Sequence, residues 1–371
     1  MIYVFYNNDP LADDLGGGAE HFRGLHRALL RAELPFRLVA ARLQEGSAAP
    51  YVTYVSKGSA FGRYYLGLWA WFWRHRREFG HGDVFHFHRN YAAWPKLVLC
   101  PDRGAVVVSY HNVTGRVLEG MLGRVARPLR ALMLRLERRV AALADAIICV
   151  SRRDRRELEG LVAPEPFAVA KVIPAALDER LFAAAEPAPP TPDLARRLLV
   201  LGRISHQKNV PLAVETLEAL HAAGDDGYEL TIAGRGEGSR DLVRLIAASP
   251  AAARIRWLGA VPHEEVPRLI AEHGTLLLTS RYEASPTVVK EALRAMRPVV
   301  STDVGDVADW LDEDRTGFVC AGDAQGLADG VRRAAWLIEA GGYRHTAKIR
   351  RLDEGAIMGE VLDLYRCLST R

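Results

Sequence analysis

The sequence predicts an α/β protein built from two doubly wound parallel-sheet domains, and three observations predict it. Short apolar runs alternate with helix-periodic stretches in both halves of the chain. The alternation is broken once, by AAAEPAPPTPD at Ala183–Asp193, whose four prolines exclude helix and strand and make a semi-rigid connector. With 371 residues, the chain is long enough to bury two cores without disulfide or metal staples. The expected division is an N-terminal domain over 1–183, a linker over 184–193 and a C-terminal domain over 194–349. A terminal helix over about 350–371 is expected to cross back to the first domain.

In chain order, strands are expected at Ile2–Tyr6, Phe36–Ala40, Asp83–His88, Val106–Tyr110, Ala146–Val150 and Phe167–Ile173, with helices at Ala19–Arg31 and Leu129–Ala144 between them. The opening MIYVFYNNDP lacks a basic leader and turns polar by Asn7, so it is expected as a first strand rather than a signal peptide. Beyond the prolines, strands are expected at Arg197–Gly202, Glu229–Ala233, Ile255–Leu258, Thr275–Thr279 and Pro298–Ser301. Helices alternate with them at Val210–Ala223, Asp241–Ala248, Val266–Ala271 and Thr287–Ala295. The amphipathic Leu352–Leu368 follows the second sheet. No run of about 18 apolar residues is present, so no membrane span is expected.

The charge is uneven. Residues 1–183 hold 26 Lys+Arg against 18 Asp+Glu, and residues 184–371 hold 23 against 27, so a total of +4 hides +8 and −4. A basic half points to an acidic partner such as phosphate, nucleic acid or anionic lipid, without saying which. Cys100, Cys149, Cys320 and Cys367 are scattered without CxxC spacing and are expected as reduced, buried small hydrophobes.

Sheets of this class bind ligands beyond the carboxyl ends of their strands. After the strand Leu198–Gly202 comes RISHQKN, in which Arg203 and Lys208 can converge on one diphosphate, although two surface cations would read the same. After Leu276–Thr279 comes SRYEASPTVVKEAL. Ser285 suits an N-cap and Pro286 a first helical residue, leaving the amides of Thr287 and Val288 free for an anion. Glu283 and Glu291 flank that position, where carboxylates suit sugar or ribose hydroxyls. A solvated helix face accounts for Glu291 as well.

The spacing Glu283-ASPTVVK-Glu291 resembles the E-x7-E pattern of the retaining GT-B glycosyltransferases of family 4. The resemblance extends over nearly the whole chain. It includes GGGAE at Gly16–Glu20, SYHN at Ser109–Asn112, VSRRDRREL from Val150, LGRISHQKN, LTIAGRGEG at Leu230–Gly238, IRWLGAVPHEEV at Ile255–Val266 and RTGFVC at Arg315–Cys320. It implies a GT-B fold, two Rossmann-like domains facing a central cleft. It also implies transfer of a hexose-type sugar from a UDP- or GDP-linked donor to a hydroxyl of a glycan, lipid-linked or natural-product acceptor, with retention.

By the same resemblance Arg203 and Lys208 bind the diphosphate, Glu291 the ribose and Glu283 the transferred sugar. The amides of Thr287 and Val288 take a phosphate or the sugar. Gly17 and Gly18 let backbone approach the diphosphate, and His111 sits beside the donor sugar. The departing phosphate helps deprotonate the acceptor, so the chemistry is charge stabilisation and positioning, with no metal or other cofactor. The chain departs from the family at Ala284-Ser285-Pro286, where Gly-Phe-Gly is frequent, at Pro174-Ala175-Ala176 for Pro-Asn-Gly, and at Gly305-Asp306 for Gly-Gly. Two other functions fit the same motifs: a nucleotide-sugar epimerase and a non-catalytic nucleotide-sugar-binding protein.

Other signals carry less. GRGEG at Gly234–Gly238 is not a full GxGxxG, and no GxxxxGK[ST] occurs. Asp312-Glu313-Asp314 reads as a solvated loop. His86 and His88 lack a nameable third ligand for zinc. The seven arginines of 116–139, interleaved with Leu and Met, suit peripheral contact of a cytoplasmic protein with an anionic membrane, and a solvated helix face would read the same. The aromatics of Phe61–Phe79 are expected in the core, and no nucleic-acid motif accompanies the charge.

Overall fold

A computed structural model describes residues 1–11, 17–42, 49–58, 60–111, 127–162, 170–182, 188–344, 346 and 348–370. The chain forms two compact units, residues 1–176 with 354–371, and residues 177–353. The division thus falls at Ala176–Leu177, ahead of the proline-rich stretch, which belongs to the second unit.

The first unit is a seven-stranded sheet in the order β3-β2-β1-β4-β5-β6-β7, with all pairs parallel. Its strands are β1 (Ile2–Tyr6), β2 (Phe36–Arg42), β3 (Val52–Lys57), β4 (Val84–Phe87), β5 (Ala105–Tyr110), β6 (Ala146–Cys149) and β7 (Ala170–Val172). Alternate residues feed two cores, because successive side chains of a strand point to opposite faces. On one face Phe5, Phe85, Phe87 and Val108 pack with Tyr64, Leu68 and Phe72 of α2 (Phe61–His75) and Val140 of α4 (Arg127–Leu143). On that side too lies α3 (Trp94–Leu99), which packs against α2. On the other face Val4, Tyr6, Val107 and Ile148 meet Phe22 and Leu25 of α1 (Gly17–Arg31) and Met358 and Tyr365 of α12 (Glu354–Ser369). The terminal helix therefore belongs to the first unit. Arg27 holds its start through a bidentate pair with the buried Glu354. Each fully buried large apolar side chain contributes about 1.5–3 kcal/mol. The aromatics of α2 divide: Tyr64, Trp71 and Phe72 are buried, whereas Phe61 and Trp73 face outward. Helix α5 (Arg152–Val162) follows β6.

The second unit is a six-stranded sheet in the order β10-β9-β8-β11-β12-β13, again parallel. Its strands are β8 (Arg197–Leu201), β9 (Glu229–Ala233), β10 (Ile255–Gly259), β11 (Thr275–Leu278), β12 (Val299–Thr302) and β13 (Gly317–Cys320). Helices α6 (Val210–Ala222), α7 (Ser239–Ala248), α8 (Val266–Ala271), α9 (Thr287–Arg294), α10 (Val307–Trp310) and α11 (Ala324–Glu339) cover its two faces. The order reverses at β1/β4 in one sheet and β8/β11 in the other, and such switch points are where ligands bind.

Two strands differ from expectation. β3 and β13 were unassigned, and both lie at sheet edges; β3 mixes Thr, Tyr, Ser and Lys with its valines, since an edge strand needs no continuous apolar run. Cys100 and Cys149 are buried, but Cys320 is partly exposed and Cys367 exposed; all four are free thiols. No described helix is long and apolar enough to cross a membrane.

Candidate active site

The loop leaving β8 and the loop leaving β11 are stitched together at the switch point of the second unit. Arg281 N donates to Gln207 O at 2.8 Å, Gln207 Nε2 to Tyr282 O at 3.0 Å, and Thr279 Oγ1 to Lys208 O at 3.1 Å. Across the seam Lys208 Nζ lies 2.6 Å from Glu283 Oε1. That carboxylate also accepts from Ser280 Oγ at 2.8 Å and Gln207 Nε2 at 3.3 Å. Arg203 is exposed on the first loop and, among the described residues, has no ion-pair or hydrogen-bond partner. The turn after β9 supports this loop from below. Gly234, at φ +142°, comes so close that a Cβ would sit 1.9 Å from Gly202 O, an approach only glycine permits.

Helix α9 begins differently from expectation. Its N-cap is Pro286, and no side chain caps it. Ser285 is drawn inward instead, donating from Oγ to Asp306 Oδ2 at 2.6 Å and accepting from Lys290 Nζ. Lys290 is completely buried, 3.4 Å from Asp306 Oδ2 and over the Trp310 ring. Burial lowers its pKa, and Asp306 opposes that shift. Asp306 is buried and also accepts from Trp310 Nε1 at 2.8 Å. The amides of Thr287 and Val288 have no acceptor among the described residues and stand at a helix N-terminus. Glu291 is buried on the same helix, with His263 Nε2 4.0 Å from its Oε1.

In the first unit, Gly17 and Gly18 open α1 as its first helical residues. Residues 12–16 and Asn112 lie outside the described residues, as does the 116–126 part of the arginine segment. His111 follows β5, with Nε2 3.1 Å from Nδ1 of His88, which follows β4. His21 of α1 completes a trio whose ring nitrogens lie within 4.8 Å of one another. His86 faces elsewhere, between Tyr365 Oη and Ser109 Oγ. Burial pushes the pKa of His86 down to about 3, and of His88 and His111 well down, with neighbouring histidines, and Arg89 beside His88 and His111, adding to the shift. These three rings are neutral at ordinary pH.

Sequence comparison bears on what these sites are. The model of Glycosyltransferase Family 4 matches residues 15–179, and that of Glycosyl transferases group 1 matches residues 185–338. The chain belongs to the group 1 glycosyltransferase family. A glycogen synthase of Mycobacterium tuberculosis is 29% identical over 253 residues, covering 67% of this chain and 59% of that protein. The chain thus spans about three fifths of that relative's length. Among solved structures, sucrose-phosphate synthase from Thermosynechococcus elongatus superposes with a TM-score of 0.79 at 20% identity, over 99% of this chain and 98% of the other. Anabaena HepE in complex with UDP-glucose does so at 0.72 and 15%, over 99% and 100%. The fold of both units is GT-B.

Within the family frame, the departure Gly305-Asp306 has a local cause. Asp306 supplies the counter-charge for Lys290, and both lie under the start of α9. Gly305, at φ +55°, lets that turn press on the Glu283–Ala284 backbone, where a Cβ would meet Ala284 O at 2.5 Å. The partners that sequence reasoning missed are Gln207, Ser280, His263 and His21. Gln207, His263 and His21 meet their sites across long sequence separations, whereas Ser280 lies three residues from Glu283; the GRGEG glycines left a local trace, set aside as an incomplete motif.

Proposed function

We propose that the chain is a retaining glycosyltransferase that moves a hexose-type sugar from a UDP- or GDP-linked donor to a hydroxyl of a glycan, lipid-linked or natural-product acceptor. The observation that carries this is the stitched pair of loops bearing Arg203, Lys208 and Glu283 at the β8/β11 switch point. Arg203 is free to fork onto a diphosphate. Lys208 has three donors, so its ammonium can hold Glu283 and a phosphate oxygen together. Glu283, steadied by Ser280 and Gln207, keeps acceptor capacity for sugar hydroxyls, and Glu291 serves the ribose. The amides of Thr287 and Val288 add a backbone anion site. On the first unit, Gly17 and Gly18 admit a close backbone approach by substrate, and His111 offers a hydrogen bond to a substrate oxygen.

In the reaction the bond from the anomeric carbon to the diphosphate oxygen breaks, and the nucleoside diphosphate leaves with the electron pair. The acceptor oxygen bonds to the same face, and its proton passes to the departing phosphate. Arg203 and Lys208 take up the developing charge without a metal ion. UDP-glucose in the HepE complex supports a uridine donor.

The acceptor side is assigned to the basic first unit. There α4 exposes Leu132, Leu136 and Leu143 among the exposed Arg135, Arg138 and Arg139, a composition suited to an anionic membrane surface. This face supports a peripheral contact with a membrane, and the four free cysteines support a cytoplasmic setting.

The test is turnover of UDP-, GDP- and ADP-sugars with and without acceptors, in EDTA. Arg203→Ala and Lys208→Ala should each lower kcat about 10²–10³-fold. Full activity in both variants overturns the donor site, and epimerised donor without transfer would indicate the epimerase instead. Co-sedimentation with anionic vesicles, weakened by salt, is expected for the membrane face; its absence at low salt removes that part.

A further inference from the structure

The histidine trio of the first unit invites a metal ion, but its outer contacts oppose one. A ligating histidine ordinarily donates its second ring N–H to an oxygen. The Ala176 amide donates to His21 Nδ1 at 3.4 Å. A metal on that nitrogen would displace the amide, and a metal on Nε2 would set an Nδ1–H against it. The buried Nε2 of His88 has no partner among the described residues. The contacts instead fit neutral, hydrogen-bonded rings.

A single proton lies between His88 Nδ1 and His111 Nε2 when both rings are neutral. If His111 donated it, His88 would carry its proton on Nε2 and bury an orphan N–H. If His88 donates it, Nε2 is left as a bare lone pair. Buried orphan donors are rarer in folded proteins than under-satisfied acceptors. His88 is almost wholly buried, whereas the His111 ring is partly exposed and its Nδ1 has no partner among the described residues.

We propose that His88 is a positioning residue: its Nδ1–H donates to His111 Nε2 and holds His111 as the Nδ1–H tautomer, presenting one hydrogen-bond donor to a substrate oxygen. The tautomer stands on geometry alone, and its use on substrate rests on the proposed transferase function. The neutral state of both rings, set by burial, keeps this polarity constant through the ordinary pH range.

The experiment is long-range proton–nitrogen correlation on the full chain labelled with 15N-histidine, with His88→Asn, His88→Leu and His111→Gln variants to assign the rings. His111 should show the Nδ1–H pattern. His88→Leu should lose that pattern and lower kcat/KM about tenfold, one hydrogen bond's worth. His88→Asn, whose amide N–H can replace the ring donor, should restore both. An Nε2–H pattern for His111 overturns the proposal. So do equal kinetics for the Leu and Asn variants, or stoichiometric zinc or nickel held through His88. If no nucleotide sugar is turned over by the unmodified chain, the transferase function falls, while the spectrum still decides the tautomer.

Discussion

The two units share a reversal of strand order, yet they handle polarity at that position in opposite ways. The first unit, with the positive excess, lines the ends of β4 and β5 with imidazoles that burial keeps neutral. The second unit, with the negative balance, places full charges there and compensates two of its cations locally, Lys208 by Glu283 and Lys290 by Asp306, while Arg203 has no such partner among the described residues. A domain's net charge therefore says little about its site. The overall sign describes the solvated face, and the site obeys the cost of desolvating each group.

The sharpest way to break this contrast is to remove one charge from the second unit. Asp306→Ala leaves Lys290 buried without its carboxylate and should destabilise by about 3–5 kcal/mol in chemical denaturation, as breaking buried pairs does. The double change Lys290→Met with Asp306→Leu should recover most of that loss. A loss below about 1 kcal/mol for the single change would show that the pair does not hold the start of α9.

Acid should act on the first unit. Its buried His86, His88 and His111 have folded pKa values below their unfolded value of about 6.5, so below that pH the unfolded chain binds protons that the folded one refuses. Stability from this source is complete above about pH 6.5 and is lost as pH falls towards the folded value of about 3 at His86. Each pH unit within the window removes up to about 1.4 kcal/mol per histidine. Peptide-resolved hydrogen exchange at pH 7 and pH 5 should show opening around 84–111 before the loops at 202–209 and 279–286. Simultaneous opening would mean that the two units are not distinguished by titration.

Smaller effects probe the supports of each site. Gly234→Ala forces a Cβ against Gly202 O at a left-handed φ and should cost about 1–3 kcal/mol. Donor binding should weaken with it, read by calorimetry with UDP. Ser109→Ala removes the 2.7 Å partner of His86 Nε2 and should cost about 1 kcal/mol in thermal unfolding, with little effect on donor affinity.

Much of this was legible along the chain. The strand–helix alternation predicts both sheets because an apolar run of a few residues is a local signal, and β1, β8 and β9 match it residue for residue or nearly so. Arg203, Lys208 and Glu283 could be named because their loops follow strands directly, and Glu291 because it lies on the helix that comes next. Ser285 was misassigned as a cap because a local pattern cannot show that Asp306, 21 residues on, offers its hydroxyl a better partner. The strand β3 escaped because an edge position relaxes the demand for apolar residues.

The sequence by itself determined the fold class, the family and the loops that follow β8 and β11, since these depend on periodicity and spacing within short windows. Only the tertiary structure decided which charges meet: Lys208 with Glu283, Lys290 with Asp306, and His21 with His88 and His111. Those pairings arise where parallel strands bring distant segments to one sheet end. Burial there makes an unmatched charge or donor costly enough to select its partner.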